Sequence, residues 1–299
     1  MLTEQYKIEV PEKSFSLSQI NPSSTLGLTK IEAIEKMVGN VLDLRPLQDK
    51  LYANSRNAVL IIFQAMDAAG KDSTINHVMS GINPQGCFVK SFKHPNDLEL
   101  SHDYLWRSTR DLPERGMIGI FNRSYYEEVL VARVHPQIVL KQNLPGINSE
   151  KDIKASFWKE RYQQINNYEK RLTTNGIKVI KIFLHLSKNE QAKRFLKRIK
   201  RQDKNWKFSE SDMLERAYWD DYQSAYEVCI KETANKTNPW YVVPADHKWY
   251  TRAVVSQIIA DEISSLNPKY PTIDEKALSR LNQSCEQLES ELSLENKNQ

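Results

Sequence analysis

One stretch of the chain decides its fold, and it reads Ala58-Val59-Leu60-Ile61-Ile62-Phe63-Gln64-Ala65-Met66-Asp67-Ala68-Ala69-Gly70-Lys71-Asp72-Ser73-Thr74. Its first half is an unbroken β-branched and aliphatic run, which predicts a buried strand. Small residues and Gly70-Lys71 follow, and apolar residues then recur at helical spacing. This is the layout of a phosphate-binding loop, in which backbone N–H groups and the helix dipole hold an anion and Lys71 adds a cation. We therefore expect phosphoryl-transfer chemistry.

The loop departs from the usual pattern at two positions. Gly-x-x-x-x-Gly-Lys-Ser/Thr would place Gly at position 65 and a hydroxyl at position 72, where this chain has Ala65 and Asp72. A Gly-Lys pair after a strand can also be an ordinary helix start. Asp67 favours the phosphate-binding interpretation, because a carboxylate inside an anion-binding loop is costly unless a cation lies between it and the phosphate. Asp67 therefore indicates Mg²⁺, or Mn²⁺ in its place.

The overall composition predicts a soluble cytoplasmic protein. Its 299 residues exceed a typical domain but fit one large α/β domain with helical additions. No apolar run approaches the ~20 residues that span a bilayer, and the first residues lack the pattern of a signal peptide, so we expect no membrane partner. Cys87, Cys229 and Cys285 are odd in number and far apart, which indicates neither a disulfide framework nor a metal site.

Positive charge is concentrated in one segment, although the net charge is only +4. Residues 188–207 carry nine Lys/Arg and two acids, whereas residues 271–299 carry six acids and three bases. A basic cluster on a nearly neutral protein indicates a specific polyanion site. The candidate residues for it are Arg194, Arg198, Arg201, Lys204 and Lys207. The segment is predicted to be a helical lid, at about 188–212, that closes over a bound anion.

Another predicted strand, at residues 117–121, is followed by Asn122-Arg123-Ser124-Tyr125-Tyr126-Glu127-Glu128. In kinases of this architecture an acid ends this strand and orients the metal, but here the position holds Asn122. The carboxylate must then come from Glu127 or Glu128, and Arg123 could contact the transferred phosphoryl group. Taken alone, the two glutamates would be typical of a surface helix.

The order of the predicted elements indicates an α/β fold. Strands are expected in the apolar run that begins at Ala58 and at residues 87–92, 117–121, 177–184 and 240–244. Because helical segments separate them, we predict a doubly wound, five-stranded parallel sheet. The loops at the carboxyl ends of its strands would bring one set of charged residues to a single crevice, namely Asp67, Lys71, Arg123, Glu127 and Glu128.

Several longer motifs identify a family. They are Gln64-Ala65-Met66-Asp67-Ala68-Ala69-Gly70-Lys71-Asp72, Gly81-Ile82-Asn83-Pro84-Gln85-Gly86, His102-Asp103-Tyr104-Leu105-Trp106-Arg107, Phe121-Asn122-Arg123-Ser124-Tyr125-Tyr126-Glu127-Glu128-Val129-Leu130, Lys204-Asn205-Trp206-Lys207-Phe208 and Trp240-Tyr241-Val242-Val243-Pro244-Ala245. From about residue 42 to residue 266 the chain resembles the family-2 polyphosphate kinases. The resemblance implies a P-loop kinase fold similar to thymidylate kinase and reversible, Mg²⁺-dependent phosphoryl transfer from inorganic polyphosphate to a nucleotide. It also implies a homodimer or homotetramer.

Asn122 and Glu127 depart from the family's common pattern, which has an acid at position 122. The Asn-Arg-Ser-x-Tyr-Glu form resembles the subgroup that phosphorylates both AMP and ADP, giving ADP and ATP. We accordingly expect a P-loop polyphosphate kinase domain at residues 42–270, an N-terminal arm and helical extension at 1–41, and a C-terminal tail at 271–299.

The residues and the resemblance together give a set of expected roles. Catalysis is assigned to Asp67, Lys71, Arg123, Glu127 and Glu128, and metal binding to Asp67, Glu127 and Glu128. Polyphosphate binding is assigned to Ala68, Gly70, Lys71, Asp72, Ser73, Arg194, Arg198, Arg201, Lys204 and Lys207. Nucleotide binding is assigned to Asn83, Arg107, Asn122 and Arg123. Arg107 could instead form a structural ion pair with Asp103 or Asp111.

The sequence leaves two other functions open. One is an ATP-dependent nucleoside monophosphate kinase, which would need less basic surface. The other, from a different class, is a non-catalytic module that binds polyanions or RNA through the basic helix. Carboxylates in the crevice speak against such a module and against nucleic acid as a partner, because a pure anion binder gains nothing from them.

Overall fold

The computed structural model describes residues 2–12 and 14–295. These residues include a six-stranded sheet whose strands are β1 (Lys7–Ile8), β2 (Ala58–Ala65), β3 (Cys87–Ser91), β4 (Ile118–Asn122), β5 (Ile177–His185) and β6 (Trp240–Pro244). Across the sheet the order is β1-β6-β5-β2-β4-β3. Neighbours from β6 to β3 are parallel, and β1 alone pairs antiparallel, with β6.

The described residues also form twelve α-helices. They are α1 (Lys30–Asn54), α2 (Lys71–Val78), α3 (Asp97–Leu100), α4 (Trp106–Arg110), α5 (Val131–Val134), α6 (Gln137–Leu140), α7 (Ala155–Thr174), α8 (Lys188–Ile199), α9 (Glu210–Ala217), α10 (Trp219–Thr233), α11 (Lys248–Ser264) and α12 (Glu275–Glu295). Within this described part of the chain, no helix is both long and apolar enough to cross a bilayer.

The sheet is covered by helices on both faces. Apolar residues of α7 and α10 pack on one face, and those of α1, α2 and α11 pack on the other. Strand β2 lies in the middle and is buried along its whole length, which is why its sequence is an unbroken apolar run. The predicted doubly wound sheet with five parallel strands is thus confirmed. The additional strand β1 is too short to leave a sequence pattern.

Parallel pairing determines where the site lies. Strands β2 and β4 are neighbours, with Phe63 opposite Asn122, so the loop after β2 and the turn after β4 leave the same edge of the sheet. The backbone N–H of Arg123 donates to the Phe63 carbonyl at 3.0 Å, which fixes that turn against the strand. The carboxyl ends of these two strands therefore deliver their polar residues to one crevice.

The termini differ in how they join this core. Helix α1 begins at Lys30, where Thr29 and Glu32 form a capping box, and it runs across residue 42 to pack along α11. The tail holds α12, whose described side chains are exposed from residue 275 to residue 293 apart from Ala277, which is partly covered.

Candidate active site

The loop after β2 has the backbone geometry of an anion-binding turn. Ala68 and Gly70 both lie in the left-handed region, with φ of 62° and 101°. Gly70 is the N-cap of α2, so the unpaired N–H groups at the start of that helix face the crevice. Positive φ is uncommon for alanine and tends to occur at functional sites, where the surrounding structure holds it.

Lys71 is buried beside this loop, and its Nζ donates to the Ala65 carbonyl at 2.9 Å. Burial lowers the pKa of Lys71, and the nearby Asp67 carboxylate partly opposes that shift. The ammonium group is therefore held at the strand tip by one backbone carbonyl. Because burial disfavours the charged ammonium, an anionic oxygen that binds beside Lys71 would stabilise its charged form.

Arg123 and Asp67 form the centre of the site. Their side chains make an ion pair, with Nη2 of Arg123 3.1 Å from Oδ1 of Asp67. Arg123 also has positive φ, 63°, which turns its side chain toward the loop. The pKa of Arg123 is raised, chiefly by the Glu127 carboxylate. Burial raises the pKa of Glu127, while Arg123 and Lys71 act to lower it. Asp67, Lys71, Arg123 and Glu127 thus lie within one electrostatic cluster.

Glu128 has different surroundings, which corrects the expectation for this residue. Its carboxylate accepts from Arg161 at 3.0 Å and from Gln142 at 2.6 Å, and the Glu128–Arg161 pair is almost fully buried. Consecutive side chains of a 3₁₀ turn point in different directions, so Glu127 lies in the cluster with Arg123, while Glu128 is held by Arg161 of α7 and by Gln142 in the turn after α6. Of the two glutamates that the sequence left open, the geometry favours Glu127.

The carboxylates of the cluster, those of Asp67 and Glu127, could act as ligands of a magnesium ion. In the part of the chain that the structure describes, no three His, Cys, Asp or Glu side chains form a closed metal site. Mg²⁺ does not require one, because it usually keeps several waters and takes one or two carboxylates together with substrate phosphates. Asp67 and Glu127 would be the protein ligands.

A basic cleft of about 860 Å³ opens above the loop. The cations along it are Lys71, Lys93, Arg123, Arg194, Lys197, Arg198, Arg201, Lys204 and Lys248, and the acids are Asp67, Asp72 and Asp212. Ala68, Gly70 and Ser73 of the loop line its floor. Of the lid residues predicted to bind polyphosphate, Arg194, Arg198, Arg201 and Lys204 line this cleft, and the side chain of Lys207 lies outside the described part of the structure. A cleft with this charge suits an extended polyanion.

Arg194 has a structural role, whereas the sequence suggested that it binds polyphosphate. Its Nη1 donates to the carbonyls of Ala68 and Ala69, at 3.1 and 2.7 Å, and its Nη2 to those of Ala245 and Asp246, at 2.6 and 3.0 Å. Its Nε donates to Glu190 at 2.9 Å. All five guanidinium N–H groups are thus used. Arg194 ties the loop to α8 and to the end of β6, and it positions the loop instead of presenting a free cation.

The other predicted lid cations remain at the surface of the basic cleft. Arg198 lies 3.7 Å from Asp212 of α9, and Arg201 forms a two-bond pair with Asp203 at 2.6 and 2.9 Å. Three cations of the cleft were missed by sequence reasoning, namely Lys93, Lys197 and Lys248. Lys197 lies within the basic segment and could have been included, whereas Lys93 and Lys248 come from elements that carry no charge pattern.

A second cleft, of about 770 Å³, meets the basic cleft at Asp67 and Arg123. Glu127 and Arg107 line it on the polar side, and Tyr218 and Tyr222 contribute aromatic surface. It is less basic than the first cleft and has both apolar and charged walls. That combination suits a ligand with a ring at one end and phosphate at the other.

The predicted nucleotide residues separate into two groups. Arg107 lines the second cleft, where it donates to the Lys93 carbonyl at 2.8 Å and lies over the Phe92 ring. Asn122 lies at the loop and donates to Asp72 at 2.7 Å. Asn83 is a correction: among the residues described here it borders neither cleft, and its side chain caps the turn that starts at Pro84.

Comparison with known proteins agrees with this geometry. The family model described as polyphosphate kinase 2 matches residues 28–271. A relative from Rhodopseudomonas palustris, named ADP-polyphosphate phosphotransferase, is 60% identical over 228 residues, which cover 76% of this chain and 78% of that one. A relative from Meiothermus ruber, named AMP/ADP-polyphosphate phosphotransferase, is 39% identical over 270 residues, covering 90% and 95%.

A solved structure is similar along nearly the whole chain. The crystal structure of polyphosphate kinase 2 from Arthrobacter aurescens superposes with a TM-score of 0.84 at 37% identity, covering 95% of this chain and 96% of that one. The matched region contains the loop, the Arg123 turn and the basic lid. The chain therefore belongs to the polyphosphate kinase 2 family.

Proposed function

We propose that this protein reversibly transfers the terminal phosphoryl group of inorganic polyphosphate to AMP and to ADP, giving ADP and ATP. One observation carries the proposal: the basic cleft and the second cleft meet at Asp67 and Arg123. A donor in one cleft and an acceptor in the other would then have their reacting phosphates at the same place. The names of the relatives, which act on polyphosphate and on ADP or AMP, agree with this.

The basic cleft is the proposed polyphosphate site. Polyphosphate carries about one charge per phosphate, so it needs a long row of cations as well as a phosphate-binding loop. Lys197, Arg198, Arg201, Lys204 and Lys248 provide that row above the loop. A nucleoside triphosphate would use only the part nearest the loop, which is why this cleft favours the polymer over ATP as donor.

The second cleft is the proposed nucleotide site. Arg107 and Arg123 are placed to hold the phosphates of the acceptor, and Tyr218 and Tyr222 offer rings against which a base could pack. An acceptor phosphate held beside Arg123 would point toward the loop and Lys71. This is the arrangement that in-line displacement requires.

The proposed reaction is a direct displacement. An oxygen of the acceptor phosphate forms a bond to the terminal phosphorus of polyphosphate, and the bond from that phosphorus to the rest of the chain breaks. The electron pair of the broken bond stays on the shortened polyphosphate. Lys71 and Arg123 stabilise the charge on the transferred group. Because phosphate oxygens are already ionised near neutral pH, no general base is needed.

Mg²⁺ is the proposed cofactor, with Mn²⁺ as a substitute. Asp67 and Glu127 would hold the ion, which when bound would neutralise phosphate oxygens and bring the two anionic substrates together. Asp67 would also position Arg123, because the ion pair between them keeps the guanidinium at the junction of the clefts. Glu127 likewise attracts Arg123, as the raised pKa of the arginine indicates.

Both AMP and ADP are proposed as acceptors because Asn122 adds no negative charge at the loop, where it binds Asp72. A carboxylate at position 122 would repel the phosphate of a short acceptor such as AMP, and the neutral amide of Asn122 avoids that repulsion. We further propose the cytoplasm as the location and a homodimer or homotetramer as the assembly.

Product analysis tests the proposal. The purified protein is incubated with Mg²⁺, polyphosphate and either AMP or ADP, in the absence of ATP, and the nucleotides are separated. We expect ADP followed by ATP from AMP, and ATP from ADP. Lys71→Met should abolish both products, since it removes the cation beside the transferred group. Phosphorylation of AMP that occurs with ATP but not with polyphosphate would contradict the proposal.

A further inference from the structure

Helix α12 carries an apolar stripe that the rest of the chain leaves exposed. Its members Leu278, Leu281, Leu288 and Leu292 are 51%, 52%, 59% and 60% exposed. Between residues 275 and 293 only Ala277 is partly covered. The match to the family model ends at residue 271, before α12 begins.

The stripe has the spacing of a coiled-coil seam. Leu278, Leu281, Cys285, Leu288 and Leu292 are separated by three, four, three and four residues, which corresponds to alternating a and d positions of a heptad. A seam this narrow is typical of a helix that pairs with another helix, whereas a helix packed on a globular core shows a wider apolar face. The seam is about 21 Å long at 1.5 Å per residue.

Two other occupants fit the helix less well. A lipid surface is disfavoured because the polar face is acidic, with Glu286, Glu289 and Glu291, and the membranes that attract such helices are anionic. The chain's own basic cleft would attract those acids but leave the leucines in water. A partner helix with the same seam covers the leucines and leaves the acids solvated.

We propose that α12 pairs with the α12 of a second copy of this chain in a two-stranded coiled coil. Pairing also accounts for the helix itself, because α12 contains several serines and a single helix of such composition is marginal in water without a packed face. With five seam positions the contact is short, so the pairing depends on protein concentration unless another interface supports it. The inference is independent of the proposed reaction.

Matched double variants of the full chain test the pairing. Leu281→Glu with Leu288→Glu places two charges on the seam, and Gln283→Glu with Ser290→Glu places two charges at the same seven-residue spacing on the opposite face. By light scattering over a range of concentrations, we expect the first variant to have half the assembly mass of the native chain and the second to keep it. Equal masses for both variants, or a native chain that is monomeric throughout, would overturn the proposal.

Cysteine cross-linking tests the same contact in a way that does not depend on measuring the mass of the assembly. The chain with Cys87→Ser keeps Cys285 on the seam and Cys229 buried in the core. Mild oxidation should give a covalent dimer through Cys285 if the helices are parallel. If they are antiparallel, Cys285 faces a leucine of the partner, and the dimer should form once Leu281→Cys or Leu288→Cys is added. Failure of all three chains to cross-link would overturn the proposal. Phosphotransfer per active site should stay unchanged in every variant.

Discussion

Glu127 and Glu128 are adjacent in sequence but have opposite surroundings, and this difference gives a prediction at the scale of single residues. Glu127→Gln removes a carboxylate from the cluster around Arg123, and we expect kcat to fall about 100-fold with little change in stability. Glu128→Gln instead leaves the buried Arg161 without its counter-charge, so the free energy of unfolding should fall by about 3 kcal/mol. Steady-state rates and denaturant unfolding of both variants measure the two effects. The assignment fails if the two variants exchange these phenotypes.

Lys248 gives a prediction about pH. Burial lowers its pKa to about 8, and the neighbouring cations Arg194, Arg252, Lys197 and Lys204 add to the shift. The side chain is therefore charged below pH 8 and loses its charge as the pH rises through that value. The pH dependence of kcat/KM reports the pKa values of groups in the free enzyme. We therefore expect kcat/KM for polyphosphate to fall up to about tenfold between pH 7 and pH 9.

Lys248→Arg provides the control for this pH effect, since arginine stays charged throughout the range. The variant should show a flat profile for polyphosphate between pH 7 and pH 9. An unchanged decline in Lys248→Arg would assign the pH dependence to another group.

At the scale of elements, Arg194 joins the phosphate-binding loop to α8 and β6. Lysine at this position keeps the charge but cannot reach two pairs of carbonyls at once. We expect Arg194→Lys to lower kcat/KM about 100-fold, because the loop that is proposed to hold the transferred phosphoryl group would shift. Arg201→Lys is the matched control, because Arg201 is an exposed arginine of the same lid whose ion-pair partner is the exposed Asp203. This variant should lose less than threefold in kcat/KM, as expected for a surface pair. Similar losses in both variants would show that Arg194 acts through its charge alone.

Local patterns explain how much of this architecture the sequence could predict. The β2 run, the Gly70-Lys71 turn and the periodicity of α2 are contiguous, so the loop and its helix could be read directly. The convergence of Asp67 with Arg123 followed from parallel strand order, because loops at the carboxyl ends of neighbouring strands must meet.

Contacts between distant residues explain what the sequence could not predict. Glu128 is fixed by Arg161 and Gln142, and Arg194 by carbonyls of Ala245 and Asp246. No local spacing records such partners, so a charged residue that is buried and paired is indistinguishable in sequence from one that faces a substrate. Lys248 was missed for the same reason, since it begins a largely buried helix.

At the scale of the whole molecule, the net charge is small but positive charge is concentrated in the basic cleft. Salt should therefore affect the binding of the two substrates differently. In the proposed arrangement polyphosphate would bind through many cations of the basic cleft, whereas the nucleotide would contact few. Raising the salt from about 50 to 200 mM should therefore increase KM for polyphosphate about tenfold or more, by the same counterion release that weakens DNA binding. KM for AMP should change much less. Equal increases in both KM values would contradict the assignment of the two clefts.

The central claim is that the two clefts meet at Asp67 and Arg123, so that both substrates are bound together when the phosphoryl group moves. An initial-rate matrix, in which polyphosphate and AMP are varied against each other at fixed Mg²⁺, tests this most directly. The account predicts double-reciprocal lines that intersect, as they do when a ternary complex forms before chemistry. Parallel lines would show that shortened polyphosphate leaves before AMP binds, and this result would contradict direct transfer across the junction of the clefts.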